Sequence, residues 1–151
     1  MATSNLHTRT TFMSMEEALS GAAQRCLEVE ADLKVLAGHG SDPVDMAWKE
    51  IADREHRIAR LLIDFVRNAS RNILDTRVQY TPDDIKLTWP ESAENAADQL
   101  VATNTRLAER LDYLSHALAV SDMSDALEAL RNQVESVSQQ ISITRTTMQD
   151  Y

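Results

Sequence analysis

An all-α fold, a four-helix bundle of two antiparallel hairpins joined by a long crossover, is what this sequence predicts, on three observations. Apolar residues recur at steps of three and four along four long stretches, a spacing that keeps one face of a helix apolar and that no strand would hold. Glycine and proline are scarce, three of each, while Ala, Leu, Glu, Gln and Arg are abundant. The gaps between the stretches are short, long and short. A short gap forces antiparallel neighbours, and a long one permits the chain to run back along the bundle.

The 151 residues suit one domain, a size at which about two-thirds of the unfolded surface is buried. Lys and Arg number 15 against 24 Asp and Glu, a formal net charge of -9 that disfavours nucleic acid or an anionic membrane surface as partner. Cys26 is the single cysteine, so no internal disulfide forms and a reducing, cytoplasmic setting is expected. Residues 1–13 have no apolar core of secretory type, and no run of apolar residues is long enough for membrane insertion.

In chain order, residues 1–13 are rich in Thr and lack a sustained period, which predicts an extended arm held by a neighbouring subunit. Ser14 with Glu16 and Glu17 has the form of a helix N-cap followed by an acidic first turn. The first helix, 14–37, carries the line Met15, Leu19, Ala22, Cys26, Val29, Leu33 and Leu36. Gly38-His39-Gly40 stops it, and Ser41-Asp42-Pro43 restarts the chain with a cap and a proline in the first turn. The second helix, 43–76, is the longest, with Trp48, Ile51, Ala52, Ile58, Ala59, Leu62, Phe65, Val66, Ala69 and Ile73 on one face. Glu55 falls in the middle of that face. Outside it, Glu50 with Arg54, Lys49 with Asp53, Asp53 with Arg57 and Arg60 with Asp64 are spaced as exposed i,i+4 pairs. The cluster Leu61, Leu62, Ile63, Phe65 and Val66 is wider than one stripe and is expected to feed a subunit contact as well as the core.

Residues 77–90 lose the helical period between Pro82 and Pro90, and about fourteen extended residues reach on the order of 45 Å, the length of a crossover. A surface strand there would have no obvious partner. The third helix, 91–120, places Ala96, Leu100, Thr103, Leu107, Leu111 and Leu114 on its stripe, and after a cap at Ser121-Asp122 the fourth, 122–149, carries Leu127, Leu130, Val134, Val137 and Ile141.

The first hairpin resembles that of rubrerythrin-like, ferritin-fold proteins. The words that carry the likeness are AAQRCLEVEADLKVLA, an Asp-Pro turn, and AWKEIADREHRIARLL, in which Ile51-Ala52-Asp53-Arg54-Glu55 follows the family's Ile-Ala-x-x-Glu-x-x-His pattern. The resemblance implies a ferritin-like plan with Glu55 as a bridging glutamate. It also marks departures: Ile58 stands where the family has His, Cys26 and Arg106 where it has the glutamates of the first and third helices, and Ser138 three residues after Glu135 where it has a second His. A di-iron centre needs about four glutamates and two histidines facing inward, and this chain supplies few of them.

Two functional expectations follow. The first is a non-enzymatic assembly or interaction subunit without cofactor, part of a homo-oligomer or larger complex, in which Glu55 pairs with Arg106 or another inward basic group. The second is an iron- or manganese-binding protein or oxidoreductase with an unusual di-metal site of Glu55, Glu135, Glu30 and His56. His39, His7 and His116 have no ligand-type spacing and are expected in solvent, and Cys26 is expected as a small core residue.

Overall fold

Four stretches of amphipathic spacing become four long helices in the computed structural model, which describes residues 11–80, 93–118 and 121–149. Among these residues the elements are β1 (Thr11–Ser14), α1 (Met15–Ala37), α2 (Pro43–Asn68), α3 (Arg71–Leu74), β2 (Arg77–Tyr80), α4 (Ala93–His116) and α5 (Ser121–Gln149). The expected third-helix start at 91, the turn at 119–120 and most of the expected crossover lie outside the described residues.

The caps form as the sequence requires. Ser14 Oγ accepts from the Glu17 backbone N–H at 3.1 Å, and Asp42 Oδ1 accepts from that of Asp45 at 2.9 Å with Pro43 in the first turn. Between them Gly38 closes α1 at φ 59 and ψ -142, donating to the Lys34 and Val35 carbonyls. An L side chain is strained in that conformation.

Each long helix packs on two others: α1 on α2 and α4, and α5 on α2 and α4. Directions follow from residue pairs. Asp98 near the start of α4 meets Arg145 near the end of α5, while Ser115 near the end of α4 accepts from Ser124 near the start of α5. Arg54 reaches Ser136 and Gln140, whereas Leu61 and Phe65 share a groove with Met123 and Leu130, so α2 and α5 are also antiparallel. The stripes meet in one apolar core around Leu19, Leu33, Trp48, Ile51, Ile58, Leu62, Leu100, Leu111, Leu127 and Ile141, all fully buried.

Two expectations change here. The second helix ends at Asn68, not at Thr76. Asn68 turns its amide onto the Asp64 carbonyl, and Ala69 and Ser70 take extended backbone (ψ 149 and 157), so the short α3 leaves in a new direction with Leu74 buried. Short polar side chains that compete for backbone groups favour such breaks. The strand expected to lack a partner has one in the arm. β1 and β2 pair antiparallel, Thr11 opposite Tyr80 and Ser14 opposite Arg77, and the ladder continues as the Met15 N–H donates to the Thr76 carbonyl at 2.7 Å. The described part of the arm is thus held by its own chain. A two-stranded sheet is marginal by itself, and this one is supported by buried Val78 and by the Tyr113 hydroxyl accepting from the Gln79 N–H at 2.9 Å. No helix among the described residues is long and apolar enough to cross a membrane.

Gly38→Ala should lower stability by about 1–3 kcal/mol, because the side chain meets no neighbour and only the backbone conformation opposes it. Urea denaturation measures this, and an unchanged midpoint would show that the turn relaxes freely.

Candidate functional site

The buried stripes of α1, α2 and α4 bring three polar side chains into the apolar core. Glu55 on α2 is fully buried, and so are Cys26 on α1 and Asn104 on α4. Asn104 Nδ2 donates a hydrogen bond to Glu55 Oε1. Cys26 sits beside the carboxyl and weakly favours its charged form, but not at hydrogen-bonding geometry, so Glu55 Oε2 is left without a conventional partner, as is Asn104 Oδ1.

Electrostatics follow from this burial. Loss of water pushes the Glu55 carboxyl up to about 7, helped by the nearby Glu30 charge and opposed by the Asn104 and Cys26 contacts and the charge of Arg54. The same burial, with the Glu55 charge adding to it, pushes the Cys26 thiol far above its ordinary range, so it is a poor nucleophile.

Glu30, one turn beyond Cys26 on α1, faces the helix boundary. Its oxygens take Lys34 Nζ at 2.8 Å and His56 Nδ1 at 3.0 Å. Burial works against its charge, but these two contacts win and hold its carboxyl below the usual range.

Of the four residues expected as alternative metal ligands, the structure brings only Glu30 and His56 into contact. Glu55 is the sole one in the core. Glu135 is exposed and paired with Arg131 at 3.2 Å. Among the described residues no three His, Cys, Asp or Glu side chains converge as a metal-binding group. The donor set of the core, one carboxylate, one amide and one thiol, does not fit a di-iron carboxylate centre. Ile58, where the resemblance implies a His, is buried in the apolar core, and Ser138, though buried, lines an open groove between α4 and α5 with Thr105 and Ala108.

Arg106 is not the inward partner expected for Glu55. It is exposed, lining the outer groove between α1 and α4 with Arg25 and Arg110. Asn104, two residues earlier, takes that place, and the signal for it was present: it lies four residues after Leu100 and three before Leu107, a polar residue on an apolar line just as Glu55 is. Two of the expected i,i+4 pairs of the second helix, Glu50 with Arg54 and Lys49 with Asp53, are also replaced. Arg54 spans to Ser136 Oγ at 2.9 Å and to Gln140, and Lys49 donates to the Gly40 carbonyl at 2.8 Å. Long basic side chains at a helix boundary satisfy acceptors on neighbouring elements that an adjacent carboxylate would only duplicate. No known protein family, characterised protein or solved structure matches the chain.

A folded-state carboxyl raised from 4.5 to about 7 binds its proton more tightly than in the unfolded chain. Its contribution is therefore greatest below pH 4.5, falls as pH rises to about 7 and is constant above, a change of about 3 kcal/mol. Glu55→Gln removes the titration and keeps the shape. Against the wild type it should gain about 3 kcal/mol in relative stability between pH 4.5 and pH 8, measured by urea denaturation of both proteins across that range. A stability difference that does not change with pH would show that Glu55 stays ionised in the fold.

Proposed function

We propose that the protein is a non-enzymatic assembly or interaction subunit built on a ferritin-like four-helix plan, in which the polar core organises the helices and carries no reaction. The observation that carries this reading is the hydrogen bond between Glu55 and Asn104. At the level where the resemblance implies a ligand cluster, the fully buried carboxylate of Glu55 is engaged by an amide from the opposite hairpin, beside a thiol raised out of reactivity.

The ferritin-like plan is supported by direction and distance. The antiparallel pairs α1 with α2, α2 with α5 and α4 with α5 leave α2 and α4 running the same way. The tie from Gln79 to Tyr113 puts β2 beside the last turn of α4, while α4 begins at Ala93, about 30 Å away at 1.5 Å per residue. The end of β2 and the start of α4 thus lie at opposite ends of the bundle, a separation that accords with a crossover plan. The role in assembly is supported by the apolar residues that α2 leaves at the surface. Leu61 is 44% exposed and Ile63, Phe65 and Val66 are half-buried, flanking grooves toward both α1 and α5.

Elemental analysis of protein purified without chelator tests the reading. Iron and manganese should be far below one per chain in the wild type and unchanged in Glu55→Ala. A stoichiometric metal that disappears in Glu55→Ala would overturn it and establish a metal protein with Glu55 as ligand.

A further inference from the structure

We propose that the face between α2 and α5 closes against the same face of a second copy of the chain, forming a two-fold symmetric dimer. The proposal rests on the assembly reading above and names the partner. The face is an open groove of about 390 Å³ between the two antiparallel helices. Leu61 stands at its edge, and Phe65 and Met123 lie half-buried along it. Ala126 and Ala129 keep the α5 bank low, which leaves room for side chains of an opposing surface. An aromatic ring and a methionine on an accessible apolar face are residue types enriched where proteins meet.

The charges around the groove select the second copy as occupant. Arg57 and Arg60 lie one helical turn before Leu61 and Asp64 of the α2 bank, and Asp122 and Asp125 one turn before Ala126 and Ala129 of the α5 bank. All four are exposed, and among the described residues none of them is in an ion pair. Because the helices are antiparallel, the arginines stand toward one end of the groove on one bank and the aspartates toward the other end on the other bank. Asp64 lies in the groove and leaves the α2 bank net positive. A two-fold axis in the plane of the face, perpendicular to the line joining the two clusters, exchanges their positions. Arg57 and Arg60 of each copy then meet Asp122 and Asp125 of the other, while Leu61, Phe65 and Met123 close the centre. An isologous contact requires such self-complementarity. A partner with a uniformly charged surface would satisfy one bank and be repelled by the other.

Sedimentation velocity and light scattering test this with four exposed substitutions that leave the core untouched. The wild type should have twice the 16.9 kDa mass of one chain at micromolar to submillimolar concentration. The variants R57E/R60E and D122R/D125R should each fall to half that mass with unchanged helix content by circular dichroism. Mixed one to one, they should regain it, because each bank of one variant is then complementary to a bank of the other. A monomeric wild type, variants that remain dimeric, or a mixture that stays monomeric would each overturn the proposal. Variants that remain assembled through another face leave the assembly reading standing, and that reading falls separately on the metal analysis.

Discussion

Glu55 can be buried in this protein because Asn104 comes to it from the opposite hairpin, and that single contact sets how the two hairpins meet. Apolar stripes alone tolerate sliding, since one turn of leucines packs much like the next. A polar pair does not. Shifting α4 by one turn along α2 would bury an amide and a carboxyl without partners, at a cost of about 1–3 kcal/mol each and more if the carboxyl is charged. The contacts from Arg54 to Ser136 and Gln140 act in the same sense on α5. Polar contacts from neighbouring residues of α2 therefore fix both helices of the second hairpin, and the apolar core fills in around a register already chosen.

That arrangement also separates two kinds of carboxylate. Glu30, at the boundary, is held charged by Lys34 and His56, whereas Glu55, one layer deeper, is held toward its neutral form by the loss of water. Two acidic groups on facing helices thus respond to pH in opposite senses. Cys26 sits beside the deeper one, where its thiol is chemically quiet for the same reason.

The long helices were legible because they are built from repeated local signals. Periodic apolar residues, Ser14 and Asp42 as caps and Gly38 as a stop each act within a few residues of where they stand, so reading them needs no knowledge of the rest of the chain. The break at Ala69-Ser70 was weaker in the sequence because Ile73 continues the apolar line past it, and the line decided the expectation while the extended backbone decided the fold. The β1–β2 pairing was hidden for a different reason: its two strands are four residues each and lie on opposite sides of a helical hairpin. At the core, Glu55 is evident as a charged residue on an apolar face, but analogy of position points to Arg106 as its partner. Asn104 carries no charge to draw attention, although its spacing from Leu100 and Leu107 marks the same face.

The small sheet has a kinetic consequence. Its strands are separated by the whole of α1, α2 and α3, so their ends are brought together only after that hairpin has formed, and closing so long a loop is favourable only once the helices have already shortened it. The sheet should therefore be a late structure in folding. The same order places it among the first to open, with few hydrogen bonds to lose and a short ladder to break. The end of the molecule where α1 starts and α4 ends is then closed by its least cooperative element. Amide exchange there would report local opening long before it reports unfolding of the core.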